Sequence, residues 1–556
     1  MDVAEVEHPP LVRRRQQAAR VEQPFRFVEV RQRFQLFGDR VEASEIFFSH
    51  DRSFRQKARE NKAAIGRGAL PARWRVSSLR TRMLFSSRFC VCLAVGLLGL
   101  FGAGCEKKDP LAERRFRLLV EENARLVRVV EVIDPTLTMA PFTGTTPGAA
   151  AIQQITAEND QLREVVTRHE RDQALAANKS QREVVERQVE KIRGLEFKQP
   201  VDYAVLNRKE IKQTISQKLA DVFSEEEFRH MTDAMAAIGL LPPKYPLREK
   251  YIDLLGEQVA AFYDQHQHKL VMYEDATLDN AQNRVVLAHE LTHALQDQHF
   301  GLKALPLEIK TNDDRAAAAS ALVEGDATLV MSEFMLNNLS RQMVKDNLVA
   351  SFTQNMKQLE TAPRYLREML VFPYLRGQEF CAALFGNGGY EAVSKAYANP
   401  PSSTAQILHP QKYMATPRED PIVIEWPATT VKGEKPIADN VVGELGLRIL
   451  FAEWLDAATG ERAAAGWRGD RYLYFAGGEA LVWKTVWATA EDAAEFFAAE
   501  KQLLEKRHQP TNARSEERRF EADGPRILRL VQTDAHEVLL IDTAQPEWAA
   551  ALAELR

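Results

Sequence analysis

Two histidines and a glutamate in the segment VVLAHELTHALQDQHF, residues 285–300, have the spacing of a catalytic metal-binding helix. On a helix, His289 and His293 lie one turn apart on the same face, so both imidazoles can bind one Zn²⁺. Glu290 would lie beside the metal, where its carboxylate can take a proton from a bound water molecule. The alternative is an ordinary half-buried helix that carries two histidines.

A catalytic zinc site also needs a third protein ligand and an open position for water. Glu324 lies in the apolar segment ASALVEGDATLVM, where a charged side chain is costly unless it is paired or binds a metal. We therefore expect Glu324 to be the third ligand, and an ion pair with a basic residue is the alternative. The other candidate is His299, but without a glycine after His293 it continues the helix on a different face.

The motif HELTH, followed by VEGDA on a later helix, resembles the gluzincin metallopeptidases, in which a glutamate from a later helix joins HExxH. The resemblance covers roughly residues 250–415 and extends to poorly characterised bacterial HExxH proteins that carry EGDA. It implies that His289, His293 and Glu324 are the zinc ligands and that Glu290 is the general base. The interval to the third ligand is longer than in well-studied gluzincins, and the choice between endopeptidase and exopeptidase stays open.

Supporting residues are predicted around the metal. Metal-bound histidines usually donate their second N–H to a carboxylate or carbonyl group, and Asp326 and Asp297 are the candidates, with surface or capping roles as the alternative. Gluzincins also use a histidine or tyrosine from a later segment to stabilise the oxyanion. The segment STAQILHPQKY offers His409 and Tyr413, and we predict that His409 is this donor.

The elements that must position these residues predict a mostly helical α+β protein. Alternating apolar residues in VAAFYDQHQHKLVMYED, residues 259–275, predict a β-hairpin directly before the zinc helix. The resemblance implies that such an edge strand lies over the cleft and binds an extended substrate. We expect residues 199–430 to form a zincin-like metallopeptidase domain. Residues 431–556 predict a C-terminal α+β domain with a small antiparallel sheet.

The N-terminal part of the chain predicts export. Residues 83–105 are apolar, follow several arginines and end in small residues, which is typical of a secretory signal peptide and too short for a confident transmembrane span. The ending FGAGC resembles a bacterial lipobox, so we predict lipidation of Cys105. A signal anchor and a plain secretory signal are the alternatives.

The segments on either side of this predicted signal peptide offer no candidate catalytic or metal-binding residues. Residues 1–82 are rich in arginine and are predicted to be disordered or a mis-assigned upstream extension. Residues 106–198 predict a helical stalk or short coiled coil, with a linker at residues 134–150. Such a stalk would hold a catalytic body away from a membrane.

Composition limits the classes of function. The chain has 556 residues, of which 45% are hydrophobic and 27% charged, and this composition is typical of a soluble globular protein. Its formal net charge of −5 gives no indication of a nucleic-acid partner. After removal of the signal, Cys381 and the lipidated Cys105 would remain, so neither a disulfide nor a cysteine metal site is expected.

Taken together, these patterns predict a zinc metallopeptidase of the bacterial cell envelope that hydrolyses a peptide or protein substrate. It would face the periplasm as a lipoprotein. Glu106, which stands where the aspartate that retains lipoproteins in the inner membrane would be, favours the outer membrane. The alternative is a non-catalytic zincin-like binding or scaffold lipoprotein. A purely structural zinc is a third possibility, but such sites usually have four protein ligands.

Overall fold

The structure is a computed structural model of the chain. The predicted signal segment, Cys105 and the N-terminal extension lie outside the residues that it describes. In the described part of the chain, no helix is long and apolar enough to cross a membrane. The described residues are 110–137, 139–258, 261–274, 276–338 and 361–555.

Helices dominate the described part of the chain, and two separate sheets accompany them. The first part contains α1 (Pro110–Ile133), α2 (Ala149–Arg193), β1 (Asp202–Leu206), α3 (Arg208–Val222), α4 (Glu225–Ile238), α5 (Leu247–Gln258), β2 (Ala261–Asp264), β3 (Lys269–Tyr273), α6 (Ala281–Phe300), α7 (Asp313–Asn338), α8 (Arg364–Ala398), α9 (Thr404–Leu408) and α10 (Pro410–Met414). The second part contains β4 (Ala438–Asn440), α11 (Gly443–Trp454), α12 (Ala457–Ala464), β5 (Trp467–Phe475), β6 (Ala480–Trp487), α13 (Ala490–His508), β7 (Ala513–Glu516), β8 (Arg519–Ala522), β9 (Ile527–Gln532), β10 (Glu537–Thr543) and α14 (Pro546–Ala553).

The first two long helices run parallel to each other. The side-chain amide of Asn159 donates to the carbonyl of Leu119, and Arg163 lies 2.7 Å from Glu122. The two contacts come in the same order along both helices, from Leu119 to Glu122 in α1 and from Asn159 to Arg163 in α2. The connecting segment therefore has to run back along α1 before α2 begins.

One hydrophobic core surrounds the helix that carries HELTH. Helix α6 is buried from Leu287 through Asp297, so it can bury apolar residues on all its sides. The C-terminal part of α2 enters this core and is not solvated on every face. The buried members are Val185 and Val189 of α2, Leu270 and Met272 of β3, Leu278 of the following loop, Val285, Leu287, Ala288, Leu291 and Leu295 of α6, and Val330, Phe334 and Met335 of α7.

A three-stranded sheet lies against this core. Strands β2 and β3 form the antiparallel hairpin that the alternating sequence predicts, and β1 adds to β3 in parallel. The strand order is β1-β3-β2, which leaves β2 as an edge strand beside α6. The predicted hairpin before the zinc helix is confirmed.

A seven-stranded antiparallel sheet dominates the C-terminal part, with the order β4-β5-β6-β10-β9-β8-β7. It is larger than the small antiparallel sheet that we predict for residues 431–556. The short strands β4, β7 and β8 have no clear apolar alternation, and β7 and β8 are strongly charged. Helices cover both faces. Phe496 of α13 packs on Trp483 and Trp487, while Trp548 of α14 packs on Phe475. This burial on both faces explains the nearly continuous apolar runs of the central strands.

The two parts of the described chain are joined by hydrogen bonds at the start of α7. The side chain of Asn440 accepts a hydrogen bond from the backbone N–H of Asp313, at 2.8 Å, and so satisfies one of the free donors of α7. Gly443 has a φ of +74°, and a Cβ atom there would lie 1.8 Å from a carboxylate oxygen of Asp314. Only glycine allows this approach. The helix that carries Glu324 is thus held at its start by the C-terminal part.

Candidate metal centre

Helix α6 places the two histidines of HELTH against each other. The helix begins at a cap in which Asn280 accepts a hydrogen bond from the N–H of Gln282, and it ends at Gly301 in a left-handed conformation. The two Nε2 atoms of His289 and His293 lie 3.1 Å apart, and their rings are perpendicular with centroids 4.7 Å apart. Both imidazoles therefore direct Nε2 to one point.

Glu324 of α7 completes this group. Its Oε2 lies 3.1 Å from Nε2 of His289 and 3.4 Å from Nε2 of His293. Among the described residues, these three side chains form a group whose ligand atoms all lie within 4.8 Å of one another and which can hold a metal ion. In the described part of the chain, the basic side chains that contact Glu324 are these two histidines, so the alternative of an ion pair with a lysine or arginine is not observed there.

The residues present fit a zinc ion. Ligand atoms that surround Zn²⁺ tetrahedrally at about 2.05 Å are about 3.3 Å apart, which agrees with the three separations in this site. Two imidazoles and one carboxylate are also the donor set of many catalytic zinc sites. The Glu324 side chain keeps 22% of its exposure, so the site opens towards solvent on that side.

The three ligand groups are electrostatically coupled to each other. Burial by itself would lower the pKa of His293, but the Glu324 carboxylate raises this pKa to about 9. Burial would raise the pKa of Glu324, yet the adjacent histidines hold it well below its usual range. The group therefore favours a positive charge at its centre, and a divalent cation can replace the histidine proton.

Glu290 is held against the edge strand β2. The backbone N–H of Tyr263 donates to Oε2 of Glu290 at 2.8 Å, and the Glu290 side chain lies beside the metal-binding group. Burial raises the pKa of the Glu290 carboxyl, although the charges on His289 and His293 partly offset this effect. A carboxylate fixed in this way can accept a proton close to the metal position.

Helices α7 and α8 cross in backbone contact directly beside Glu324. A Cβ atom on Gly325 would lie 2.1 Å from the carbonyl carbon of Gly377, and one on Gly377 would lie 2.1 Å from the carbonyl oxygen of Ala321. Neither position tolerates a larger residue without a shift of one helix. Gly325, the glycine of the EGDA motif, therefore allows the two helices to pack this closely.

The crossing brings Tyr374 of α8 to the metal centre, which sequence reasoning missed. Its ring stacks on the ring of His289, with centroids 6.0 Å apart and an angle of 30°. The Glu324 carboxylate, burial of the hydroxyl and Glu290 raise the pKa of Tyr374 well above its ordinary value. The hydroxyl therefore stays protonated and can donate a hydrogen bond. The side chain is 43% exposed, so it borders the open side of the site.

The predicted supporting carboxylates take different positions. Nδ1 of His293 lies 2.8 Å from Oε1 of Gln296, and the amide nitrogen of Gln296 donates to Oδ2 of Asp326 at 3.2 Å. Asp326 therefore acts on His293 through Gln296 and not directly. Asp297 accepts hydrogen bonds from the hydroxyl of Tyr263, so it anchors the hairpin. The sequence does contain a signal for the contact between Gln296 and His293, because Gln296 follows His293 by about one helical turn.

His289 differs from His293 in its second nitrogen. Nδ1 of His289 is buried and has no hydrogen-bond partner among the described residues. The ring of Tyr374 stacks on His289, so packing contributes to the orientation of this ring. The two ligands of the HELTH motif are held by different means.

Three further histidine and tyrosine candidates have contacts elsewhere. Nε2 of His409 lies 2.8 Å from Oε1 of Glu444, and the hydroxyl of Tyr413 donates to the carbonyl of Asn399. Nε2 of His299 lies 2.8 Å from the carbonyl of Glu196. None of these described contacts is with the metal-binding group, and the role of His409 as an oxyanion donor stays a prediction.

Comparisons with known proteins find similarity to part of the chain. Residues 430–552 match the model of a family described as a domain of unknown function (DUF8575). No curated protein matches the chain. A crystal structure of a candidate hydrolase with a novel fold, from Chloroflexus aurantiacus, aligns with 53% of this chain and 97% of its own, at 17% identity and a TM-score of 0.30. The function of this chain therefore has to be inferred from the metal centre itself.

Proposed function

We propose that the chain is a zinc metallopeptidase of the gluzincin type, which hydrolyses peptide bonds. The observation that carries the proposal is the convergence of His289, His293 and Glu324 on one point, with Glu290 next to it on the same helix. A purely structural zinc would favour a fourth protein ligand, and among the described residues the group contains three. The solvent-facing side of Glu324 supports a site that admits a substrate.

Each group of the site has a separate role in the proposed hydrolysis. Zn²⁺ bound to this group would supply a Lewis acid that acidifies water and polarises a carbonyl group. Glu290, held at Oε2 by Tyr263, has Oε1 as the acceptor of the water proton and passes that proton to the leaving amine. The Tyr374 hydroxyl donates a hydrogen bond to the oxygen on which negative charge develops. Tyr374 is thus a second candidate for this donor, beside His409.

The edge strand β2 supports a peptide as the substrate. The N–H of Tyr263 points away from β3 and towards Glu290, so the outer edge of β2 borders the candidate catalytic groups. An extended peptide can add to such an edge through the outward main-chain groups of β2 other than the N–H of Tyr263, which Glu290 already uses. Such binding would place a peptide bond of the substrate beside Glu290.

We also retain the proposal that the protein is a lipoprotein of the bacterial cell envelope, facing the periplasm and anchored at Cys105. Its support is the sequence of residues 83–105, with an apolar run that ends in a lipobox-like motif. Mass spectrometry of the protein isolated from membranes tests this point. An N-terminal diacylglyceryl cysteine is expected at Cys105, and an unmodified N-terminus upstream of it contradicts the anchor.

The test of the proposed activity is cleavage of a peptide library by the zinc-loaded protein, followed by mass spectrometry. The wild type is expected to produce cleaved peptides, and Glu290→Gln is expected to lower the rate by about 100- to 10,000-fold because it removes the proton acceptor. Zinc bound per chain should be equal in both proteins, since Glu290 is not a ligand.

The same experiment distinguishes the enzyme from a scaffold protein. A wild type that binds zinc but cleaves no member of the library, at any enzyme concentration, supports the non-catalytic binding protein. Cleavage that persists in Glu290→Gln contradicts the proposed role of this carboxylate.

A further inference from the structure

We propose that Arg193, the last residue of helix α2, is a positioning residue for the metal centre, which it reaches through Asp326 and Gln296. These residues form a buried chain of polar contacts that ends at the zinc ligand His293. The inference rests on the metal site of the proposed function but not on the reaction. It makes the long helix α2 a part of the site, whereas its sequence indicates only a stalk.

The first step in this chain fixes the proton on His293. The amide nitrogen of Gln296 donates to the carbonyl of Val323 at 3.0 Å and to Asp326 at 3.2 Å, so both of its hydrogens are used. The oxygen of Gln296 must therefore face Nδ1 of His293 as an acceptor. It follows that Nδ1 carries the proton and that the lone pair of Nε2 is directed to the metal.

The second step holds Asp326 in place, which accepts a hydrogen bond from the amide nitrogen of Gln296. Asp326 is fully buried and receives the guanidinium of Arg193, with Nε 2.9 Å from Oδ1, and the hydroxyl of Tyr397 at 2.9 Å. A buried carboxylate held by these partners cannot rotate freely. Because Asp326 lies two residues after Glu324 on α7, the same contacts also restrain the helix of the third ligand.

The third step secures Arg193 itself. Its side chain is 1% exposed, and a second nitrogen donates to the hydroxyl of Ser394 on α8 at 3.1 Å. The guanidinium also lies over the ring of Tyr390, 4.8 Å from the centroid. Arg193 thus connects α2, α7 and α8 at one point behind the metal ligands.

The experiment compares zinc affinity, measured by competition with a chromogenic chelator, among matched full-length variants. Arg193→Met alone would leave Asp326 as an unpaired buried charge and can unfold the chain. The double variant Arg193→Met with Asp326→Leu removes both charges together, and Gln296→Met removes the acceptor at similar volume. Lys191→Met, at an exposed position on the same helix, is the control.

The double variant and Gln296→Met are expected to bind zinc about 10- to 100-fold more weakly than the wild type, because His293 loses its orientation. Lys191→Met should bind zinc as the wild type does. The metal-free forms of all variants should unfold at nearly the same temperature, which separates positioning from a general loss of structure. If the double variant does not fold, Arg193→Lys, which keeps the ion pair with fewer donors, is expected to show a smaller but measurable loss.

Two results would overturn the inference, and they differ in their meaning. Wild-type zinc affinity in the folded double variant, or in Arg193→Lys and Gln296→Met, would show that the polar chain only stabilises the fold and would leave the proposed function intact. A wild type that binds no zinc would overturn the proposed function and this inference together.

Discussion

Tyr374 is the residue whose role the structure adds to the candidate site. Its hydroxyl is kept protonated by the neighbouring carboxylates, and its ring stacks on His289. Tyr374→Phe removes only the hydroxyl, so it should lower kcat by about 100- to 1,000-fold while the bound zinc and KM change little. Steady-state kinetics on a cleaved peptide, together with zinc analysis, measures both effects.

Tyr413→Phe is the matched control for this prediction, because the Tyr413 hydroxyl donates to the carbonyl of Asn399. It should retain wild-type kcat. His409→Gln tests the donor that the sequence predicts. Wild-type activity in Tyr374→Phe combined with a large loss in His409→Gln would assign the oxyanion role to His409.

Residue types and spacing were sufficient to predict the group of His289, His293 and Glu324, because the two histidines share one helical face and a charged glutamate is unusual in an apolar helix. They were not sufficient for Tyr374 or Arg193. Each of these reaches the site from a distant helix, and its neighbours depend on how the helices cross. Nothing local in the sequence marks such contacts.

The crossing of α7 and α8 is the element that sets the distance between Glu324 and Tyr374. Gly377→Ala would place a Cβ atom within 2.1 Å of the carbonyl oxygen of Ala321, so one helix must move by about 1 Å. We expect activity to fall by about 100-fold, since a displacement of this size misaligns catalytic groups. Peptide cleavage rates and thermal unfolding of the purified variant measure the effect.

Gly386→Ala on the same helix is the control, because a Cβ atom at Gly386 meets nothing within 4 Å. It should keep both activity and stability, or gain slightly in stability from the higher helix propensity of alanine. Equal behaviour of the two variants would contradict the role of the close crossing.

Helices and strands with a regular spacing of apolar residues could be predicted from the sequence, whereas short charged strands could not. The hairpin β2–β3, the helix α6 and the central strands of the large sheet all follow from apolar spacing. Strands β7 and β8, with the sequences ARSE and RFEA, carry too many charges to indicate a strand. They form because β9 offers an unpaired edge, which is a property of the assembled sheet.

At the scale of the whole molecule, the described residues from Leu118 onwards form one compact unit. Contacts between its two parts start at the first turn of α7, the helix of Glu324, where Asn440 accepts a hydrogen bond from the N–H of Asp313. They continue at α4, where the indole N–H of Trp454 donates to the carbonyl of Gly239. Sequence patterns predict a domain boundary at residues 430–431, but they contain no information on whether the two parts then pack together.

Buried carboxyl groups make the stability of the molecule depend on pH. Glu500 of α13 is 1% exposed, and burial raises its pKa to about 8, from an ordinary value near 4.5. The folded state therefore prefers the neutral carboxyl. Its contribution to stability is fully present below about pH 4.5 and is lost as the pH rises through about 8. We expect the unfolding temperature to fall between about pH 5 and about pH 8.5.

Glu500→Gln tests this origin, because the amide cannot ionise. The variant should show a shallower fall of unfolding temperature with pH and should be more stable than the wild type at about pH 8.5, by on the order of a few kcal/mol. Glu505→Gln, at an exposed position on the same helix, should leave the slope unchanged. An unchanged slope in Glu500→Gln would assign the pH dependence to other groups.

The metal content of the purified protein tests the central claim most directly. The wild type, incubated with zinc and dialysed, is expected to hold about one zinc ion per chain. Glu324→Ala should lose most of it, while Glu379→Ala, at an exposed position on α8, should keep it. No zinc in the wild type, or full retention in Glu324→Ala, would contradict a metal centre formed by His289, His293 and Glu324.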